Sequence, residues 1–224
     1  GSYPFTVRVS DGADSTDASI TLTVNEANSA PVLAAIGDRS VNEGTVLSFT
    51  AGATDADVPA QALTFSLDAG APAGAAIDPS TGVFTWTPGE AQGPGDYPVT
   101  VRVTDDGSPA LADAETLTVH VDEVNTPPVI AGVPASATLA ELVAYSFTAS
   151  ATDADLPAQT LTFSLIGAPT GAAIDGATGV FTWTPSEAQG PGSYPFTVRV
   201  SDGADSTDAS ITLTVEDINS APVL

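Results

Sequence analysis

The sequence predicts an all-β fold, a tandem array of β-sandwich repeats. Three observations predict it: the chain repeats itself, its apolar residues fall in short runs, many alternating with period two, and the segments between those runs are rich in Gly, Pro, Asp and Ser. Residues 1–24, GSYPFTVRVSDGADSTDASITLTV, are identical to residues 192–215. Two diverged copies lie within that unit. DADVPAQALTFSL at 55–67 matches DADLPAQTLTFSL at 153–165, and GVFTWTPGEAQGPGDYPVTVRV at 82–103 matches GVFTWTPSEAQGPGSYPFTVRV at 179–200. The chain therefore reads as the C-terminal strands of one repeat (1–28), a full repeat (29–125), a second full repeat (126–219) and the start of another (220–224). A repeat of about 95 residues suits an immunoglobulin-like sandwich.

The elements follow in order. Val46-Leu47-Ser48-Phe49, Leu63-Thr64-Phe65-Ser66-Leu67 and Val83-Phe84-Thr85-Trp86 are short runs of strand-forming residues. Tyr97, Val99, Val101 and Val103 alternate with Pro98, Thr100 and Arg102, the pattern of a half-buried strand, and Leu117, Val119 and Val121 form the last strand of the same repeat. The second copy repeats the pattern through Phe147, Phe163, Trp183, Tyr194, Val198 and Leu213. Gly70-Ala71-Pro72-Ala73-Gly74 and Gly93-Pro94-Gly95 are turn chemistry. No stretch has helical periodicity, and Glu90-Ala91-Gln92 and Glu187-Ala188-Gln189 are good for one turn at most. Trp86 and Trp183 each lie in an apolar strand before Thr-Pro, which favours a place in the sandwich core over a ligand platform.

Residues 1–28 would supply the last two strands of a sandwich and nothing else, and an isolated hairpin is marginal in water. Either the chain is a window on a longer array, or the hairpin completes a sandwich on another molecule. The second needs an acceptor lacking its last two strands, and both full repeats carry their own, so the window is the favoured reading.

Composition excludes several functions. Twenty-eight acids stand against 4 bases, all of them arginine, for a formal net charge of −24. Such a chain repels phosphate backbones and anionic membrane surfaces, so neither nucleic acid nor membrane insertion is expected, and cations are its natural partners. Cysteine is absent, which rules out disulfides, thiolate metal sites and cysteine nucleophiles. No apolar run approaches the roughly 20 residues of a membrane span. No signal peptide is visible, and the first residues read as mid-strand, as in part of a longer protein. The only histidine, His120, alternates with core-facing Val119 and Val121, which puts it on the outer face.

A joint recurs three times with the pattern acid-x-Asn-x-x-Pro: Glu26 to Pro31, Glu123 to Pro128, and Asp217 to Pro222. Proline marks where a strand cannot simply continue, and the acid and amide before it are the oxygen ligands of a hard cation. With the Asp-Ala-Asp triplets at 55–57 and 153–155, the Thr-Gly-Val-Phe-Thr-Trp-Thr-Pro stretches and the strand endings Val-Thr-Asp105 and Val-Ser-Asp202, the chain resembles, over its whole length, the bacterial cadherin-like repeats of large secreted adhesins, the dystroglycan-type or Putative Ig group. The resemblance implies Ca²⁺ between successive repeats. At the central joint the matching residues are Glu43, Glu90, Glu123 and Asn125 from the upper repeat and Asp153, Asp155 and Asp202 from the lower. At the first joint they are Glu26, Asn28, Asp55, Asp57 and Asp105, and at the last Glu141, Glu187, Asp217 and Asn219. Cadherin linkers carry another Asp where this chain has Ser29, Thr126 or Ser220, so one ligand is missing at each joint and fewer or looser ions are expected. Asp14, Asp17, Asp205 and Asp208 fit no site and read as solvated charge.

Three functions compete. The first is an extracellular or cell-surface spacer or filament segment of an adhesin, stiffened by calcium, with neighbouring repeats as partners and self-association into fibres as an option. The second is a calcium-dependent carbohydrate- or protein-binding module of a secreted polysaccharide-degrading enzyme. The third, a paired-carboxylate hydrolase, is disfavoured because no acid stands out from its repeat copy.

Overall fold

The computed structural model describes residues 1–218, and among them the regular structure is strands and two single 3-10 turns. Among the described residues, no helix is long and apolar enough to cross a membrane. The chain falls into two compact units: Gly1–Pro88 with Gly95–Asp122, and Gly89–Pro94 with the chain from Glu123 onward.

In the first unit, β1 (Ser2–Ser10) and β2 (Ser15–Thr23) form a two-stranded antiparallel ribbon. The sandwich that follows is built from β3 (Val32–Leu33), β4 (Arg39–Asn42), β5 (Leu47–Thr50), β6 (Ala53–Thr54), β7 (Thr64–Leu67), β8 (Ala76–Ile77), β9 (Val83–Trp86), β10 (Gly95–Thr104) and β11 (Ala112–Asp122). One sheet has the order β4-β11-β10-β7, with β4 parallel to β11; β5-β9-β8 and the pair β3-β6 complete the other side. The alternation read from the sequence is the burial pattern observed: Val99, Val101 and Val103 of β10 are fully buried, as are Val119 and Val121 of β11.

The second unit repeats this plan with β12 (Val129–Ala131), β13 (Ser136–Ala140), β14 (Tyr145–Thr148), β15 (Ser150–Thr152), β16 (Thr162–Ile166), β17 (Ala173–Ile174), β18 (Val180–Trp183), β19 (Gly192–Ser201) and β20 (Ser206–Glu216). Its main sheet is β13-β20-β19-β16, and β14-β18-β17 and β12-β15 face it. Ten residue pairs join β19 to β20, from Gly192↔Val215 to Ser201↔Ser206. The tryptophans are core, as expected. Trp86 and Trp183 are almost wholly buried, and each meets a strand tyrosine edge-on, Tyr97 or Tyr194, with centroids 5.1 Å apart. Their indole N–H groups donate to the carbonyls of Ala73 (3.1 Å) and Thr170 (3.2 Å), so the one polar atom of each ring is satisfied inside. Glu90–Gln92 and Glu187–Gln189 are the two 3-10 turns.

The four arginines all lie within strands. Arg8, Arg102 and Arg199 make two-pronged bonds to Asp17, Asp68 and Asp208. Asp17 and Asp208, read as solvated charge, are thus cross-strand partners. Half-exposed His120 sits between Asp96 (2.6 Å) and Asp122 (3.3 Å), and the Asp96 hydrogen bond holds its pKa above the ordinary histidine value.

Gly179 shows how tightly the sandwich closes. Its φ is +68°, and a Cβ there would collide with the Ala149 carbonyl and press on the Phe163 ring. Gly203 has a φ of +104° but faces open space. Gly179→Ala is expected to destabilise the second repeat by about 2 kcal/mol or more, and Gly203→Ala by about 1 kcal/mol. Chemical denaturation followed at the Trp183 indole resonance would separate the two; equal losses would contradict the role given to the Gly179 contact.

Candidate metal centre

The second unit carries an acidic cluster at each end of its β19–β20 ladder. Asp202 follows the last residue of β19, whereas Asp217 follows β20, which runs the other way. At roughly 3.3 Å per residue the ladder separates them by about 30 Å.

At the first end, Asp153, Asp155 and Asp202 each bring one carboxylate oxygen within 4.8 Å of the others. The local sequence builds the group. Alternate acids in Asp153-Ala154-Asp155 let the Asp153 carboxylate accept the Asp155 N–H at 3.1 Å, folding the triplet back on itself. Asp155, almost fully buried, accepts the backbone N–H of Thr126 (3.0 Å) and its hydroxyl. Asn125 donates from Nδ2 to Asp202 (3.2 Å) and to Asp205 (3.1 Å), and its Oδ1 accepts from Gln159 (2.7 Å). Burial pushes the Asp202 carboxyl up, but the N–H groups of Asp205 and Ala204 and the Asn125 amide outweigh it and hold the group below the usual carboxylate range. Asp153 Oδ2 is buried with no hydrogen-bond donor.

At the other end, Glu141, Glu187 and Asp217 likewise bring carboxylate oxygens within 4.8 Å. Glu141 is fully buried just past β13; its Oε1 accepts the Ile218 N–H at 3.0 Å, and its Oε2 has no donor. Glu187 opens the 3-10 turn. Gly190 ends that turn against Glu141, where a Cβ would strike the carboxylate. Asn219 lies outside the described residues. In the first repeat, Glu43, Glu90 and Glu123 hold the matching places: after β4, at the head of the 3-10 turn and after β11. Glu43 is buried, and its N–H donates to the Asp122 carbonyl at 3.0 Å. Glu90, which belongs to the second compact unit, accepts the Leu156 N–H at 2.8 Å.

The first unit repeats the hydrogen-bond scheme. Asn28 donates to Asp105 (3.2 Å), Ser29 N–H to Asp57 (3.0 Å) and Asp57 N–H to Asp55 (2.9 Å). Gln61 bonds both Asn28 and Asp57, and Glu26 accepts the Val58 N–H. Asp105 is pushed up by burial but held below its ordinary value by the Leu111 and Gly107 N–H groups and Asn28. Asp55 Oδ2 is buried without a donor.

These donor sets consist of oxygen alone, mostly carboxylate, with buried lone pairs left unclaimed: a fit to a hard divalent cation of calcium type. Without one, each close carboxylate pair would cost roughly 1–4 kcal/mol. Gln61 and Gln159 were missed from the sequence, although each stands four residues past an Asp-Ala-Asp triplet. Asp205, read as solvated charge, belongs to the Asn125 network. Thr126 and Ser29, read as lost ligands, are donors that hold Asp155 and Asp57 in place.

A family described as Putative Ig domain matches residues 30–122 and again 127–216. Chitinase A of Pseudoalteromonas piscicida is 43% identical over 70 residues, 30% of this chain and 8% of the chitinase, so the chain spans a small part of that relative's length. Solved cadherin structures are among those similar to this chain. Protocadherin Gamma B2 extracellular cadherin domains 3-6 align at TM-score 0.54 and 21% identity over 91% of this chain and 57% of that one. Human CDH23 EC21-23 aligns at 0.55 and 20%, over 95% and 74%. Human Protocadherin-24 EC1-2 aligns at 0.51 and 20%, over 85% and 100%. At these identities the likeness speaks for the fold alone.

Asn125→Ala removes one bond that lowers the Asp202 pKa. The stability that a depressed carboxyl contributes is present above its unfolded value and lost as pH falls through its folded one. The variant is expected to raise the folded Asp202 pKa towards the ordinary range and so shrink that contribution, read by NMR titration of the Asp202 carboxyl carbon. An unmoved titration curve would remove Asn125 from the network.

Proposed function

From a chain that belongs to the Putative Ig domain family, with the domain in two tandem copies, we propose an extracellular structural or adhesive array, a spacer or filament segment whose joints are stiffened by Ca²⁺. Its repeats run 29–125 and 126–219, and it has no catalytic role. The observation that carries the reading is the pair of acidic clusters at opposite ends of the second repeat, each with a buried carboxylate oxygen that no donor reaches. A repeat so built has cation ligands at both ends, as a serial array requires. The ligands are Asn125, Asp153, Asp155 and Asp202 at one end and Glu141, Glu187, Asp217 and Asn219 at the other, with Glu26, Asn28, Asp55, Asp57 and Asp105, and Glu43, Glu90 and Glu123, as their counterparts. Bound cations would replace repulsion between carboxylates by attraction to a shared charge and fix the short connection, residues 122–128, in one conformation. Magnesium suits the sets less well, because it demands a tight octahedron and keeps its water.

One observation favours a second reading, a calcium-dependent carbohydrate-binding accessory module of a secreted polysaccharide-degrading enzyme: the 70-residue likeness to a chitinase. Both tryptophans are buried and cannot stack on a sugar, which favours the spacer. Retention on chitin beads in calcium, abolished by chelator, would favour the module instead.

Small-angle scattering should show a longer maximum dimension in calcium than in chelator, with a higher Tm. Asp153→Asn with Asp155→Asn should weaken calcium binding at that end at least tenfold by calorimetry while leaving the Trp183 indole resonance in place. Identical scattering profiles and Tm values with and without calcium would sink the proposal.

A further inference from the structure

The outer face of the first repeat carries chemistry of a different kind from the acidic ends. His120, the only histidine of the chain, lies on β11 between Val119 and Val121, both fully buried, so its side chain points away from the core. Asp122, two residues on, shares that face, and Asp96 of β10 stands directly across the ladder from His120. The imidazole is held between the two carboxylates. Its Nδ1 lies 2.6 Å from an Asp96 oxygen and its Nε2 lies 3.3 Å from an Asp122 oxygen. The side chains of His120, Asp96 and Asp122 are 51%, 70% and 49% exposed, within reach of any solute.

The two distances describe different contacts. The shorter is a hydrogen bond, and a carboxylate can only accept, so Nδ1 carries the proton and the neutral ring keeps its lone pair on Nε2. The longer lies beyond the roughly 2.7–3.2 Å of an N–H···O bond. It matches instead the separation of two ligands on one tetrahedral ion: with bonds of about 2.0 Å to nitrogen and oxygen, that edge is about 3.3 Å. A carboxylate behind the ring, holding its tautomer, with an open nitrogen in front, is how metal-bound histidines are oriented.

The sandwich itself does not demand these residues. In the second repeat the same register sets Ser193 opposite Thr214, with Glu216 two residues on, and the ladder closes with hydroxyls in place of the imidazole and its Asp96 partner. His120 and Asp96 also line a cleft of about 320 Å³ with Asp38, Arg39, Ser40 and Thr118. Its one guanidinium is turned aside, with Arg39 Nη1 donating to the carbonyls of Gly37 (3.3 Å) and Asp38 (3.0 Å), so carboxylates dominate the surroundings of the ring. We propose that His120 Nε2 and Asp122 bind a divalent transition-metal ion of the zinc class, with Asp96 as the positioning residue behind the ring and water completing the shell. An imidazole nitrogen selects such an ion over calcium, which takes oxygen. The site lies wholly within the first unit and uses none of the acidic end clusters, so it goes beyond the calcium-stiffened spacer and stands or falls separately from it.

The full chain tests it, with calcium present throughout and at about pH 8, where protons compete less for Nε2. Because the chain has a single histidine, one pair of imidazole ¹⁵N resonances reports the site without overlap. Zinc chloride should move the Nε2 resonance in a saturable way and leave Nδ1 protonated. Asp122→Asn should weaken this zinc affinity at least tenfold, and Asp96→Asn by about 10–100-fold with loss of the fixed Nδ1–H tautomer. Both should keep the Trp86 indole resonance native, since the substituted side chains are exposed, and Glu216→Ala in the second repeat should change nothing. An imidazole that zinc leaves where calcium alone leaves it overturns the proposal, and identifies the trio as a protonated histidine clasped by two carboxylates. So does zinc that binds through Nδ1, or that binds Asp122→Asn as tightly as the unsubstituted chain.

Discussion

The antiparallel ladder between the two long strands of each repeat is the constraint on which the rest depends. In the second repeat it joins ten residue pairs of β19 and β20. One face of it supplies Phe196, Val198, Val200, Ile211, Leu213 and Val215 to the core. Its edges template β16 and β13, and its two ends carry Asp202 and Asp217. Because side chains alternate with period two, a slip of one residue would expose the apolar set and bury Arg199 and Asp208. Core and acidic ends are therefore fixed together by one register.

The long strands were legible because their two faces differ. Val99, Val101 and Val103 alternate with polar residues, and the sheet buries them as the pattern requires. The short strands β3, β6, β8 and β17 were not, since each is two residues long. Two residues carry no period, and their pairing is decided by the walls around them. The parallel strand β13, Ser136–Ala140, turns only Leu139 and the small Ala137 inward, so its alternation has little contrast to read.

The acidic ends divide in the same way. Acids that recur with the repeat, such as Asp153, Asp155 and Glu141, could be named from sequence, and the structure draws Asp153 and Asp155 together with Asp202, and Glu141 with Glu187 and Asp217. The groups that hold them could not. A donor such as Gln159, Thr126 or Ser29 earns its place by geometry, and spacing alone does not show which carboxylate it will meet. The substitution of Asp by Thr126 is instructive here. It removes a charge, and the hydroxyl and N–H then fasten Asp155, so the position keeps a part in the network without being a ligand.

The placing of the arginines has a further consequence. Lysine is absent, and Arg8, Arg39, Arg102 and Arg199 lie inside β1, β4, β10 and β19. The connections 25–31 and 122–128, the kind of segment a protease reaches first, hold acids and prolines but no basic residue. A trypsin-like protease therefore finds its four cleavage points only in strands and must wait for a strand to open. Cleavage at Arg39, Arg102 and Arg199, which lie in the packed sandwiches, is limited by unfolding, a durability that costs the protein no disulfide.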